Sequence, residues 1–415
     1  MHGGARFVRD PRRFVRQPRL ARMPPVGSPT ADACIARSWV MDRRETERLV
    51  AAIRDAQRRG EGAAIATVIR VHGSAYRREG TRMLVRDDGS YECALSGGCL
   101  EPEVIERART VIATGQSVVV KYDLEDDWLF GLGIGCTGAV DIRIERIADD
   151  PILDDWLNVL ERAEPGVLAS IVGGDAPTRL LVRPNGSTTG TLGNPALDTA
   201  ATRQAMRRLG DALPSAGLAD ADGTEIFLDV SVPPARLVIF GAGYDAAPLA
   251  RLAWSMGLDV TVVDVRPAFL TDTRFPDATR VLAPFGDFIE QVPLTTRTFV
   301  VVMNHHLERD RESLRYALTA GVAYIGVLGP RARYERLLAQ LDADGFRPRP
   351  DALARVRSPV GLSLGAETPE EVALSILGEM LAIQRGFPGG FLNGRTTSLH
   401  RRSPSTSSTE SEARR

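Results

Sequence analysis

Residues 236–267 read RLVIFGAGYDAAPLARLAWSMGLDVTVVDVRP. The first apolar run in this stretch, Leu237 to Phe240, predicts a buried strand of a parallel sheet. Gly241, Gly243 and Ala246 then follow in the pattern G-x-G-x-x-A. The first glycine of this pattern permits a tight turn, and the second lets a phosphate approach the bare backbone. The pattern therefore predicts the turn at which a Rossmann-type domain binds a nucleotide.

The residues after this turn continue the same unit. The stretch from Asp245 to Met256 predicts a helix, whose N-terminus offers free N–H groups to an anion. The apolar face of this helix consists of Leu249, Leu252 and Ala253. Val260 to Val263 predicts a second strand, and Asp264 ends it 23 positions after Gly241, where a carboxylate would meet a ribose hydroxyl. The alternative is a doubly wound domain without a working ligand site, because a fold does not imply a function.

The composition excludes several classes of protein. The hydrophobic content of 43% and the charged content of 25% are typical of a globular chain, and 415 residues predict two or three domains. A net charge of −1 gives no argument for nucleic acid, and the sequence has no apolar run long enough to predict a membrane span. Lys121 is the only lysine, which excludes a Walker A loop and disfavours Schiff-base chemistry.

Composition and pattern divide the chain into five predicted segments. The two ends are low in apolar periodicity and are expected to be disordered, although residues 1–40 are alternatively translated upstream sequence before a true start at Met41. The segments are an Arg- and Pro-rich tail (1–40), a cysteine-bearing module (41–147), a degenerate repeat of that module with a linker (148–232), a Rossmann-like domain (233–390) and a second tail (391–415). The predicted fold class is thus α/β, with an N-terminal α+β part and a C-terminal parallel sheet.

Within the Rossmann-like domain, Thr368 and Glu371 form a capping-box pattern that predicts the start of its last helix.

The internal repeat singles out one cysteine. The residues TRMLVR at 81–86 match TRLLVR at 178–183, an offset of 97 positions. At the same offset, Ser96-Gly97-Gly98-Cys99 becomes Gly193-Asn194-Pro195-Ala196. If the repeat is real, the fold does not require Gly97, Gly98 or Cys99, and a function is the remaining reason for them. Chance similarity between two hairpins is the alternative interpretation.

Two thiols are candidates for a shared site. Cys99 follows two glycines and precedes a helix, and Cys136 lies in the glycine-rich turn GLGIGCTG, so that a bulky ligand can approach either of them. Two buried structural cysteines are the alternative. Cys93 is expected to pack in strand context, and Cys34 has no predicted role. No C-x-x-C pair occurs and no secretory signal is recognised, which favours a reducing cytoplasm.

Basic and polar residues supply further candidates. Arg77 and Arg78, with Arg82 nearby, form a small basic cluster suited to phosphate, and a solvated surface is the alternative. His305 and Arg331 each follow a predicted strand of the Rossmann-like domain. Because strand ends of one sheet meet at the ligand crevice, both are candidate ligands there, although His305 is alternatively a plain loop residue.

Seven motifs together resemble the XdhC/CoxI family, which comprises accessory factors of molybdenum-containing hydroxylases. The motifs follow the family's order and span residues 42–385. They are GSAYRREGTRMLV (73–85), LSGGCLE (95–101), GLGIGCTG (131–138), LVIFGAGYDAAPLARLA (237–253), VVMNHHLERD (301–310), YIGVLGPRAR (324–333) and GLSLGAETPEEVALSI (361–376). Tyr76 stands where the family often has Pro, and Ser363 stands where Asp is frequent.

The resemblance implies a non-catalytic, cytoplasmic chaperone. Such a protein would bind molybdenum cofactor, hold it during sulfuration and insert it into the large subunit of a xanthine dehydrogenase-type hydroxylase. Cys99 and Cys136 would contact the cofactor near its metal, and Gly241, Gly243 and Asp264 would hold its phosphate end, NAD(P) or another nucleotide. A cysteine desulfurase and a second copy of the chain are the other expected partners. The alternatives are an NAD(P)-dependent oxidoreductase and a cysteine-based sulfur-transfer protein.

Overall fold

A computed structural model gives the architecture of most of the chain. It describes residues 43–73, 75, 77–123, 138–147, 149–173, 178–210, 216–284 and 287–393. Cys136 with its glycine-rich turn, residues 1–40 and residues 394–415 lie outside the described residues, as does Tyr76. No helix among the described residues is long and apolar enough to cross a membrane.

The first part of the chain forms an antiparallel sheet of five strands in the order β3-β2-β1-β5-β4. Its elements are α1 (Arg43–Arg59), β1 (Ala63–Gly73), β2 (Arg82–Arg86), β3 (Tyr91–Glu92), α2 (Glu101–Thr114), β4 (Val118–Asp123) and β5 (Gly138–Arg146). Side chains alternate between the two faces of β1. Ala64, Ala66 and Val68 pack with α2 on one face, whereas Ile65 packs with α1 on the other.

The second part forms another five-stranded antiparallel sheet, in the order β8-β7-β6-β10-β9. Its elements are α3 (Pro151–Glu161), β6 (Gly166–Ile171), β7 (Arg179–Val182), β8 (Thr188–Thr191), α4 (Pro195–Gly210), β9 (Gly217–Ala221) and β10 (Thr224–Ser231). This strand order repeats that of the first sheet element by element, and α4 covers its outer face as α2 covers the first. A core formed by α1, α3 and the inner faces of both sheets joins the two halves.

The third part is a six-stranded parallel sheet with helices on both faces. Its elements are β11 (Arg236–Phe240), α5 (Ala246–Ser255), β12 (Asp259–Asp264), β13 (Thr279–Leu282), α6 (Phe288–Gln291), β14 (Thr298–Val302), α7 (Leu307–Ala320), β15 (Tyr324–Val327), α8 (Arg331–Ala343), α9 (Pro350–Leu353), β16 (Val356–Arg357) and α10 (Pro369–Arg385). The order β13-β12-β11-β14-β15-β16 is that of a Rossmann fold, and all neighbouring strands run parallel. The predicted α/β class is confirmed.

The central strand of this sheet is buried on both faces. Leu237 and Ile239 pack towards α5 and α10, while Val238 and Phe240 pack towards α7 and α8. The predicted inward face of α5 is wrong at one position, because Leu252 is 36% exposed. The predicted capping box is confirmed: Thr368 accepts a hydrogen bond from the N–H of Glu371 and begins α10. Strand order reverses between β11 and β14, and a ligand crevice is expected at their carboxyl ends.

Candidate functional site

Gly241 makes the tight turn at the end of β11. Its φ of 114° lies in the region that favours glycine, and its N–H donates to the carbonyl of Val263 at 2.8 Å. A Cβ at this position would lie 2.6 Å from the carbonyl carbon of Met303. The chain after β14 therefore passes directly against the turn, and no larger residue fits there.

The imidazole of His305 lies over Gly243. A Cβ at Gly243 would be 3.1 Å from His305 Cδ2 and 3.2 Å from Nε2. His305 has a φ of 56°, which is unusual for a residue other than glycine, and its Nε2 lies 3.5 Å from Asp245 Oδ2. The structure thus brings together Gly241, Gly243 and His305, which the sequence placed at the crevice.

Asp264 also lies at this turn, and each oxygen of its carboxylate accepts two hydrogen bonds from within the chain. Oδ2 accepts from the N–H of Ala242 and from Arg266 Nη2, both at 2.7 Å. Oδ1 accepts from the N–H and from Nε of Arg266, both at 2.9 Å. Burial by itself raises the pKa of Asp264, but these hydrogen bonds outweigh it and hold the pKa below the ordinary 3.8. Both oxygens of the Asp264 carboxylate thus bind donors within the chain, and the predicted contact with a ribose hydroxyl stays a prediction.

Two arginines that the sequence analysis missed surround the same turn. The guanidinium of Arg266 lies 4.1 Å from the ring centroid of Phe269. Arg274 donates to the carbonyl of Gly243 at 2.8 Å, and its guanidinium lies 5.5 Å from the ring centroid of Tyr244. Arg266 was detectable, because residues i and i+2 of an extended chain point the same way, which puts it beside Asp264.

Arg331, the predicted crevice residue, and the nearby Arg333 have different surroundings. Arg331 begins α8 at the carboxyl end of β15, is exposed, and pairs with Glu335 at 3.3 Å. Arg333 instead binds the buried carboxylate of Asp310 at 2.5 Å. Asp310 in turn accepts hydrogen bonds from both the backbone and the side-chain amide of Asn304. This network fixes the end of β14, from which His305 follows, whereas Arg331 lies at the surface outside it.

Ser96 organises the turn that carries Cys99. Its Oγ accepts hydrogen bonds from the N–H groups of Gly98, Cys99 and Leu100 at 3.1–3.2 Å, and the thiol of Cys99 donates to it at 3.2 Å. The hydroxyl donates to Glu101 Oε2. Ser96 thereby satisfies backbone donors that the start of α2 leaves unpaired, and it sets the position of the thiol.

Glu101 anchors the turn from below. It is only 3% exposed, and its Oε1 accepts from the N–H groups of Leu95 and Ser96 at 3.0 and 2.7 Å. Burial raises its pKa, but the hydrogen bonds from Ser96 and Leu95 prevail and lower the pKa below 4.5. Above this anchor, a Cβ at Gly97 or Gly98 would meet nothing within 4 Å. The turn is thus rigid at its base and open at its surface.

The basic cluster near residue 77 does not exist as predicted. Arg77 pairs with Glu45, and Arg78 pairs with Glu79 at 3.3 Å. Arg82 is buried and pairs with Asp229 of the second sheet. Each guanidinium thus has its own carboxylate: Glu79 is a neighbour in sequence, whereas α1 supplies Glu45 and the second sheet supplies Asp229.

The remaining cysteines are placed as follows. Cys93 is partly buried beside the core shared by α1 and α3, and its thiol donates to the carbonyl of Glu45 at 3.5 Å. Burial first, and then the carboxylates of Glu45 and Glu92, raise its pKa to about 11. Cys136 belongs to the part that is not described, so its predicted meeting with Cys99 stays a prediction. Among the described residues, no group of three His, Cys, Asp or Glu side chains could hold a metal ion.

Two family models match the chain. The model of the XdhC Rossmann domain matches residues 237–380, and that of the XdhC and CoxI family matches residues 56–123. A Bacillus subtilis (strain 168) protein named as a probable xanthine dehydrogenase subunit is 32% identical over 329 residues, covering 78% of this chain and 94% of that protein. The chain belongs to the XdhC and CoxI family. The resemblance inferred from the seven motifs is therefore confirmed.

Two further proteins are similar to most of the chain. The Escherichia coli (strain K12) protein named molybdenum cofactor insertion chaperone PaoD is 24% identical over 325 residues, covering 78% of this chain and 84% of that protein. A crystal structure described as a xanthine dehydrogenase from Bacillus halodurans superposes with a TM-score of 0.66 at 29% identity. It covers 83% of this chain and 96% of its own.

Proposed function

We propose that this protein is a non-catalytic accessory factor that binds molybdenum cofactor on behalf of a xanthine dehydrogenase-type hydroxylase. The observation that carries the proposal is the Cys99 turn. Ser96 and Glu101 fix its base, while Gly97 and Gly98 leave space above the thiol. A site with a fixed soft ligand and an open face suits the uptake and release of a bulky metal–sulfur group.

The names of two relatives support this proposal. One is a probable subunit of xanthine dehydrogenase, and the other is a molybdenum cofactor insertion chaperone. The absence of the motif from the second sheet adds support: Gly193-Asn194-Pro195-Ala196 stands where Ser96–Cys99 stands in the first, although the two sheets share one strand order. The second sheet therefore forms without a counterpart of Gly97, Gly98 and Cys99, which favours a chemical role for these residues.

The residues of the Cys99 turn and of the glycine turn at Gly241 suit different ends of molybdenum cofactor. Cys99, joined by Cys136, would hold the metal–dithiolene end, because thiolates are ligands for soft metal–sulfur centres. The turn at Gly241 and Gly243, with Arg266 and Arg274 beside it, would hold the phosphate end or a separate NAD(P). When bound, the cofactor itself supplies all redox chemistry, and the chain contributes only binding and orientation.

The proposed function also requires partner proteins. The chain would hold the cofactor while a cysteine desulfurase supports its sulfuration, and would then insert it into the large subunit of the hydroxylase in the cytoplasm. A homodimer is the proposed assembly. The resemblance to the family supports these proposals, as does the open face of the Cys99 turn, because an open face lets a second protein reach the bound group.

Cofactor retention tests the proposal directly. The full chain would be purified from cells that make molybdenum cofactor, and the bound pterin would be oxidised and measured by fluorescence per mole of protein. Cys99→Ser should reduce the pterin content by at least about tenfold, because it removes the thiolate ligand. Cys93→Ser is the matched control, because its thiol packs beside the core and should leave the content unchanged. Equal pterin in both variants would contradict the proposal.

The same variants distinguish a chaperone from an NAD(P)-dependent oxidoreductase and from a sulfur-transfer protein. An NAD(P)-dependent oxidoreductase would bind NAD(P)H equally well with Cys99→Ser, and its pterin content would be zero throughout. A sulfur-transfer protein would carry an additional sulfur atom on Cys99, which mass spectrometry of the wild-type chain detects. A chaperone would carry pterin and no persulfide.

A further inference from the structure

In the crevice of the Rossmann domain, the acidic residue Asp264 has unusual hydrogen-bond partners. In a dinucleotide site, the acid that ends the second strand accepts hydrogen bonds from ribose hydroxyls. Here four N–H donors from Ala242 and Arg266 occupy the carboxylate of Asp264, which is only 3% exposed. A ribose diol would have to displace donors that already satisfy a buried charge, which costs free energy.

A ligand in the crevice would contact the guanidinium of Arg266 and not the carboxylate of Asp264. Its Nε and Nη2 form the edge that binds Asp264, and among the described residues Nη1 has no acceptor. The side chain is 37% exposed and stacks on Phe269, which fixes the plane of the guanidinium. Five N–H groups in a planar fork can bind two oxyanions on two edges, so the outer edge of Arg266 fits a second anion.

The surroundings of Arg266 favour an anion that is attached to a flat ring. Arg274 adds a second positive charge and stacks on Phe269 at 5.1 Å. Tyr244, in the glycine turn itself, is 82% exposed and faces Arg274. Tyrosine rings that stand in solvent beside arginine are suited to stacking against a purine or a pterin.

We propose that Arg266 binds a phosphomonoester, and that Asp264 is a positioning residue that holds the Arg266 fork instead of contacting ribose. The crevice would then select a ring-bearing ligand with a terminal phosphate over one with a free ribose diol. Two sources carry this chemistry: the 2′-phosphate of a phosphorylated adenosine, as in NADP(H), and the terminal phosphate of the molybdenum cofactor. The inference rests on the proposed function only for the expectation that the crevice takes a phosphate-bearing ligand.

Two measurements on the full-length protein test the inference. Calorimetric titration compares adenosine 2′,5′-bisphosphate with 5′-AMP, which differ only in the 2′-phosphate. Pterin fluorescence measures the cofactor that copurifies with each variant. Arg266→Gln removes the charge and part of the fork, and Arg349→Gln is the control, because Arg349 forms an exposed pair with Asp351 away from the crevice. Arg266→Lys keeps the charge but loses the fork, and it replaces the Gln variant if that variant does not fold, as judged by thermal unfolding.

Either of two results supports the inference. The wild type binds the bisphosphate at least about tenfold more tightly than 5′-AMP, and Arg266→Gln removes this preference, which identifies a phosphorylated nucleotide. Alternatively, neither nucleotide is preferred and Arg266→Gln alone lowers the pterin content, which identifies the cofactor's phosphate. The inference is overturned if the wild type shows no preference and the pterin content of Arg266→Gln equals that of Arg349→Gln. Cys99→Ser decides the proposed function separately, so the two can fail independently.

Discussion

Arg82 on β2 of the first sheet forms an ion pair with Asp229 on β10 of the second sheet. The relationship is reciprocal. Arg179 occupies the equivalent position on β7 and pairs at 3.1 Å with Glu145 on β5 of the first sheet. In each sheet the arginine stands opposite a hydroxyl residue of the central strand, Thr67 or Ser170. Each half of the repeat thus places a buried arginine against an acid of the other half, although Glu145 also pairs with Arg143 of its own sheet at 2.7 Å.

Removing one arginine of this arrangement should destabilise the chain strongly. Arg82→Leu leaves the buried carboxylate of Asp229 without its partner, which costs about 3–5 kcal/mol of unfolding free energy. Adding Asp229→Asn should restore more than half of this loss, because the neutral amide still accepts from Trp156 Nε1. Urea unfolding at neutral pH measures both variants. Arg349→Ala, which breaks an exposed pair, should leave the transition unchanged.

The pH dependence of Arg82→Leu provides a second check. Burial already raises the pKa of Asp229 above 3.8 in the wild type, although Arg82 opposes this effect. Without Arg82, the folded state takes up a proton more readily than the unfolded state, so its stability falls as the pH rises. The deficit of the variant relative to wild type should therefore shrink on acidification. A deficit that stays constant from neutral pH to pH 4 would show that Arg82 does not change the protonation of Asp229 in the folded protein.

Ser96→Ala should weaken both the fold and cofactor binding while leaving the Cys99 thiol in place. The substitution removes the donor to buried Glu101 and the acceptor of three N–H groups, at a cost of about 1–3 kcal/mol. Ser187→Ala in the second sheet is the control, because that hydroxyl bonds only within an exposed turn. Unfolding and pterin content are measured together. Normal pterin content in a destabilised Ser96→Ala protein would separate the turn from the cofactor site.

The unfolding free energy at acidic pH should also show the effect of Ser96→Ala. The wild-type pKa of Glu101 is lowered, so its contribution to stability is complete above the ordinary pKa of 4.5 and is lost as the pH falls through the folded-state value. In Ser96→Ala the pKa of Glu101 should rise, which moves the loss to higher pH. Chemical unfolding at a series of pH values around 4.5 would locate the shift.

Alanine at the two glycines of the nucleotide turn should give different outcomes. Gly241→Ala combines a φ of 114° with a Cβ 2.6 Å from a backbone carbonyl carbon, and it should cost more than about 3 kcal/mol or prevent folding. Gly243→Ala meets only the His305 ring, which can rotate away, and it should cost less than about 1.5 kcal/mol. Gly243→Ala should nevertheless lose phosphate-bearing ligands in calorimetry. A folded Gly241→Ala protein with wild-type unfolding free energy would contradict the described approach of Met303.

Local rules predicted those parts of the fold in which neighbours in sequence are also neighbours in space. The strand, glycine turn and helix after Leu237 and the Thr368 capping box depend on such short-range contacts. The ion pair between Arg82 and Asp229 was not predicted, because it depends on a contact between two sheets that are far apart in sequence. Arg82 was grouped with Arg77 by proximity in sequence, whereas its position on β2 turns it towards the second sheet. No sequence rule identifies which of several acids a buried arginine meets.

Thiol labelling should distinguish Cys93 from an ordinary cysteine. Burial and the carboxylates of Glu45 and Glu92 raise the pKa of Cys93 to about 11, so at pH 8 only about one molecule in a thousand carries the reactive thiolate. Iodoacetamide followed by peptide mass spectrometry should show Cys93 as slow to react, with a rate that rises about tenfold per pH unit until pH approaches 11. In urea the protection should vanish, because burial and the two carboxylates no longer act on the sulfur. Equal labelling rates for Cys93 in folded and unfolded protein at pH 8 would mean that its thiol is not held beside the core as described.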